Sequence, residues 1–169
     1  MYKRFLLLLT FASVALAQRT QIGGVIGRGG AAHFLENSAY HVVVGVEGCV
    51  LCGGRVGLFL EYNHWQMTGS GTDNPVSLDL AGGGLRVQGK GDRVRPFFDV
   101  GMVAGVERYD RPGFVPYVRY SDAVVGAMLG VGTAISLSEH WYVRPMARFG
   151  ILSTLDFAGF AGASVGYRF

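Results

Sequence analysis

The stretch Ala163-Ser164-Val165-Gly166-Tyr167-Arg168-Phe169 alternates strictly. Side chains of a strand repeat with period two, so Ala163, Val165, Tyr167 and Phe169 share one face and Ser164, Gly166 and Arg168 the other. An apolar face closed by aromatics, opposite a face of small and charged residues, suits a strand between lipid and a polar lumen. The question is whether the rest of the chain repeats it.

Read backwards from that end, the same alternation predicts seven further strands, separated by Gly, Pro, Asn and Asp. His140 to Leu152 sets Trp141, Val143, Ala147, Phe149 and Ile151 against Arg144, Met146, Arg148 and Gly150. Ser121 to Leu137 and Val94 to Arg108 behave alike, with Asp122, Asp99 and Glu107 on their polar faces. Val76 to Gln88 changes phase between Leu80 and Leu85, which predicts a β-bulge or a bend at Gly82-Gly83-Gly84. Arg55 to His64 turns Val56, Leu58, Leu60 and Tyr62 away from Arg55, Phe59 and Glu61, and Ala39 to Glu47 opposes three valines to His41 and Glu47. Thr20 to Gly30 is blurred by glycine. The reading is an all-β, eight-stranded antiparallel up-and-down transmembrane barrel, with outer loops near Ala32–Ser38, Met67–Pro75, Tyr109–Tyr120 and Ser153–Leu155. The remaining connections, near Cys49–Gly54, Gly89–Arg93 and Ser138–Glu139, become periplasmic turns.

The other end of the chain reads as an export signal. Lys3 and Arg4 precede an apolar run from Phe5 to Leu16, and Ala15-Leu16-Ala17 offers small residues for cleavage between Ala17 and Gln18. Residues 1–17 are thus expected to be a secretory signal peptide and 18–169 the barrel domain. The full chain carries 15 Lys+Arg and 12 Asp+Glu, and losing Lys3 and Arg4 reduces the excess to one, so charge gives no argument for nucleic-acid binding. Lys90 is the one lysine after the leader, although a soluble domain normally surrounds itself with lysine. Mean hydropathy is +0.30 without a mature apolar run long enough for a membrane helix. A closed sheet spans a bilayer without leaving backbone polar groups unpaired.

The polar faces carry glycine and isolated charges: Glu47, Arg55, Glu61, Asp79, Arg86, Asp99, Glu107, Asp122, Arg144, Arg148 and Arg168. Those are the candidate lumen charges. In a narrow barrel, arginines and carboxylates pair across the interior, and the apolar face looks outward to lipid. A soluble exported barrel holding an apolar ligand is the inverse arrangement and demands a lysine- and glutamate-rich outer face.

The leader, the glycine-rich alternating strands, the stretch Val94-Arg95-Pro96-Phe97-Phe98-Asp99-Val100-Gly101 and the ending Val165-Gly166-Tyr167-Arg168-Phe169 together resemble the small outer-membrane β-barrel domain family. The resemblance covers essentially the whole mature chain and implies the bacterial outer membrane as its location. It also implies that Val165, Tyr167 and Phe169 form the terminal assembly signal, with barrel-assembly machinery and outer-membrane lipids as partners. A monomer with a structural or surface-interaction role is expected; no motif names a surface ligand.

Candidate chemistry is thin. Cys49-Val50-Leu51-Cys52 admits a structural disulfide, free thiols, or a metal or redox function, and the disulfide is preferred in an oxidising compartment. Gly53 after the second cysteine excludes covalent c-type haem, and no histidine spacing suggests a metal site. His33 with Glu36 and Ser38 could be drawn as base, acid and nucleophile of a lipid-modifying enzyme, but the sequence lacks the His-x-Ser-Asn stretch of lipid A deacylase barrels. Neither catalytic residues nor cofactors are assigned. An aromatic and arginine-rich segment, Arg108 to Tyr120, is a candidate for surface or lipopolysaccharide contact, or simply part of the interfacial belt.

Overall fold

The computed structural model describes residues 20–33, 36–52, 54–68, 77–111, 118–153 and 157–169. Period-two alternation yields β1 (Gln21–His33), β2 (Glu36–Val50), β3 (Val56–Thr68), β4 (Ser77–Gln88), β5 (Val94–Arg111), β6 (Val118–Ser136), β7 (Trp141–Leu152) and β8 (Phe157–Arg168). Each pairs antiparallel with its chain neighbours, and β8 pairs with β1, so the sheet closes in sequence order. The seam is extended by Phe169, whose N–H donates to the Thr20 carbonyl at 3.1 Å. The expected leader and the Ala17–Gln18 cleavage site lie outside the described residues.

The ladders fix the barrel's shape. Following paired residues from Ala31 through Ala158, Gly150, Met128, Gly101, Gly84, Phe59 and Cys49 returns to β1 at Gln21, a stagger of ten residues. With ~3.3 Å per residue and ~4.8 Å between strands, that stagger tilts the strands by about 40°. Large apolar side chains cover the outside, among them Leu60, Met102, Val125, Ile151 and Val165. This arrangement excludes the soluble barrel, because water would face a wall of exposed hydrocarbon.

The strands differ from the sequence reading in three places. No bulge interrupts β4: its ladders to β3 and β5 run continuously through Gly82, Gly83 and Gly84. Leu85 and Val87 face outward, whereas Leu78 and Leu80 are buried in the lumen. The apparent phase slip was a change in what the lumen wants, not in backbone register. The first outer loop is also shorter than expected, since His33 pairs with Glu36. Thirdly, β5 and β6 continue pairing through Tyr109↔Tyr120, Asp110↔Arg119 and Arg111↔Val118, so much of the arginine-rich segment is ladder.

Candidate functional site: the filled lumen

Three tight turns, around residues 51–55, 89–93 and 137–140, mark one end of the barrel, and the four other connections mark the loop end. Inward positions in the turn-side half bring three arginines against three carboxylates. Glu47 lies near the centre. It receives Arg144 Nη1 at 2.5 Å, Arg86 Nη2 at 3.2 Å and Arg148 Nη2 at 3.4 Å, and also the Ser164 hydroxyl. Asp99 takes a two-pronged pair from Arg86, with Nε and Nη2 both at 2.7 Å, and a longer contact from Arg148 Nη2 at 3.3 Å. Glu61 pairs with Arg148 Nη1, and Gln21 Oε1 accepts from Arg144 Nη2 at 2.6 Å. All six ionic side chains are buried. Burying an unpaired charge costs several kcal/mol, so equal numbers of the two signs are what this cross-section can tolerate.

Aromatic rings complete the layer. The Arg86 guanidinium lies 4.4 Å from the Phe97 ring centre, Arg144 4.5 Å from Tyr142, and Arg148 5.3 Å from Phe59. Guanidinium planes stack on ring faces at such distances, which covers the charge's faces while its edges make hydrogen bonds. Gly132 makes room for Phe97: a Cβ there would stand 2.6 Å from the ring. At the adjoining turn Cys49 and Cys52, both buried, are joined in a disulfide with Cα atoms 5.7 Å apart.

The loop-side half is apolar apart from Glu107. Val43, Trp65, Leu78, Leu80, Val103, Val124, Met128, Leu152, Ala158 and Phe160 point inward and are buried. Trp65 meets Phe160 edge-on, centroids 5.6 Å apart. Between the halves, bordered by Asn63, Trp65, Met128, Phe160 and the Glu61–Arg148 pair, lies a cavity of about 20 Å³, room for roughly one water molecule.

Of the charges assigned to the lumen from sequence, Glu47, Glu61, Arg86, Asp99, Arg144 and Arg148 form the cluster. Glu107 is buried nearer the loop end, and Arg168 is partly buried at the turn end, donating to Ser136 Oγ at 3.4 Å. Three assignments are corrected, the first being Asp79, which lies on the outer wall bonded to Tyr62, His64 and Arg108. Arg55 is exposed in the turn preceding β3, where no wall encloses it, and Asp122 is exposed although its strand parity is inward. Inward parity places a residue in the lumen only where the neighbouring strands rise as high, and β7 pairs with β6 only from Gly126 onward. Sequence reasoning missed the apolar loop-side half, because apolar residues at inward parity look like phase errors. It also missed Gln21 and Tyr142. The side chains of His33, Glu36 and Ser38 lie outside the described residues. No group of three or more metal-binding side chains occurs among those described.

An apolar exterior around a side-chain-filled, eight-stranded lumen is the architecture of small outer-membrane barrels, and the family model for the outer membrane protein beta-barrel domain matches residues 5–169. This chain belongs to that family. No curated protein matches the sequence. Among solved structures, this outer-membrane barrel is similar to Neisserial surface protein A, with TM-score 0.71, 12% identity, and 89% of this chain and 97% of that one covered. The attachment invasion locus protein of Yersinia pestis follows, with TM-score 0.65, 11% identity, and 89% and 97% covered. The N-terminal β-barrel domain of Pseudomonas aeruginosa OprF gives 0.57 and 13% identity over 90% and 98%. At such identities the likeness is one of fold. The protein is thus an integral component of the bacterial outer membrane.

The turn-end aromatic cluster fits that setting. Tyr167 stacks on His140 at 5.3 Å and meets Trp141 and Phe169 edge-on at 5.4 and 5.2 Å. Amphipathic rings gather at a membrane interface, where one side meets hydrocarbon and the other water.

Proposed function

We propose that this protein is a non-conducting, non-enzymatic barrel acting as a monomer, whose role is structural or exerted through surface contacts at the loop end. The observation that carries the reading is the ionic layer of Arg86, Arg144 and Arg148 with Glu47, Glu61 and Asp99, which closes the cross-section with buried side chains. A hydrated solute would have to separate these pairs in a low-dielectric interior, at several kcal/mol for each. An eight-stranded wall leaves no spare width beside them. The names of two fold relatives, a surface protein and an attachment protein, suggest surface contact as the direction in which to look. Barrel-assembly machinery, reading Val165, Tyr167 and Phe169, is the proposed assembly partner, and the proposed export signal is removed after Ala17.

Single-channel recording on protein reconstituted into planar bilayers tests the sealed lumen. The expected trace is flat, without reproducible steps of porin size. A large, stable conductance from folded protein overturns the proposal.

A further inference from the structure

On the outside of the barrel, four side chains from three strands converge near the loop end. Asp79 of β4 accepts from the Tyr62 hydroxyl at 2.7 Å and pairs with His64 Nδ1 at 2.8 Å, both from β3. Arg108 Nη1 of β5 pairs with the other carboxylate oxygen. The register explains the convergence: His64 lies opposite Asp79, and Arg108 opposite Ser77, two residues away on the same face. The Asp79 side chain is only 16% exposed, whereas Arg108 is 45% and His64 37% exposed. The carboxylate is covered by the groups it holds, and those groups face outward. From sequence parity alone Asp79 would be a lumen residue; it is not.

Depth makes the cluster informative. With the stagger above, each ladder row climbs about 3 Å per strand and each residue about 2.5 Å. Asp79 then lies within about 3 Å of the height of Ile151 and Phe157 across the barrel. Those two are apolar and exposed, 69% and 45%. At one level, therefore, the β7–β8 wall is built for hydrocarbon and the β3–β4 wall for something polar. A guanidinium set against acyl chains without a partner costs several kcal/mol. Asp79 meets only part of that demand, because it engages one nitrogen of a group with five N–H donors while already holding Tyr62 and His64.

We propose that this cluster binds the phosphate of an outer-leaflet lipid headgroup, which dips towards the barrel along the β3–β5 wall. Arg108 and His64 are the donors. Asp79 is a positioning residue: it holds both in place, reducing the freedom they lose when the phosphate arrives. Planar guanidinium donors match phosphate oxygens in pairs, which favours phosphate over an uncharged sugar hydroxyl.

Native mass spectrometry of the full barrel in maltoside micelles, a phosphate-free detergent, tests this. The probes are diphosphoryl lipid A, the same lipid without phosphates, and inorganic phosphate. The expected result is retention of the diphosphoryl lipid, at least about tenfold weaker retention of the phosphate-free one, and no competition from inorganic phosphate. Arg108→Gln and His64→Gln should each weaken retention by several-fold to about tenfold. Lys90→Gln, in a turn at the opposite end, should leave it unchanged. Asp79→Asn should also weaken retention, although it removes a negative charge beside the phosphate; simple charge attraction predicts the reverse. Heat-modifiable gel mobility checks that each variant is folded. If Asp79→Asn is not, Arg108→Lys decides: it keeps the charge and loses the fork, and should bind more weakly than the parent. Equal retention of both lipids, undiminished retention in the Arg108→Gln/His64→Gln double variant, or displacement by inorganic phosphate overturns the proposal.

Discussion

The turn-side half of the lumen is filled by three arginines and three carboxylates, whereas Trp65, Phe160, Leu78, Leu80 and Met128 fill the loop-side half with hydrocarbon. Both halves exclude water and both are built on the same strands. The comparison shows that a closed eight-stranded barrel requires its interior volume to be occupied and its polar groups matched, and that charge and hydrocarbon meet the demand equally. The halves differ in how they fail. A buried ion pair contributes little beyond what an apolar replacement would, yet removal of one partner strands the other in low dielectric. An apolar core loses transfer free energy and gains a cavity, a more graded penalty.

Four substitutions sharpen that contrast. The largest effect is expected at Glu47, which faces all three arginines. Glu47→Ala should lower stability by about 3–5 kcal/mol, measured by urea unfolding in detergent with heat-modifiable mobility as the readout. A loss below about 1 kcal/mol would show that the cluster's cations find other partners and that the ionic half is as forgiving as the apolar one. Phe160→Ala, in the loop-side half, should cost about 3 kcal/mol in the same assay, by removal of the Trp65 contact and creation of a void. The smallest effects come from glycine. Gly162 lies against Gly27, and a Cβ there would stand 2.6 Å from the Gly27 Cα, so Gly162→Ala should cost about 1–3 kcal/mol. Gly24 faces outward with nothing within 4 Å of an added Cβ, so Gly24→Ala should fall within about 0.5 kcal/mol of the parent. Equal effects at the two glycines would mean that backbone relaxation, not contact, sets the penalty.

Much of this was legible in the sequence, for identifiable reasons. The faces of β2, β3, β5, β6, β7 and β8 follow from alternation, because a one-residue slip would put the outward-facing valines in the lumen and the lumen arginines in lipid. Glu47, Asp99, Arg144 and Arg148 could be assigned to one interior on that basis. Leu78 and Leu80 could not, since alternation reports only which residues share a face, and two apolar faces look alike. Asp79 and Arg55 were misplaced for the complementary reason: a charge was taken as a sign of the lumen where the wall also has a polar exterior or has not yet begun.

The sequence by itself determined that the strands are amphipathic, that there are eight of them, and that hydrocarbon faces outward, because period-two patterning and the membrane's intolerance of unpaired backbone leave no other closed arrangement. Only the tertiary structure decided which charges meet, where the interior changes from ionic to apolar, and that His64, Asp79 and Arg108 converge on the outer wall. Those outcomes depend on the ten-residue stagger between the first strand and its own return. Stagger is a property of the closed ring of ladders, and no single strand encodes it.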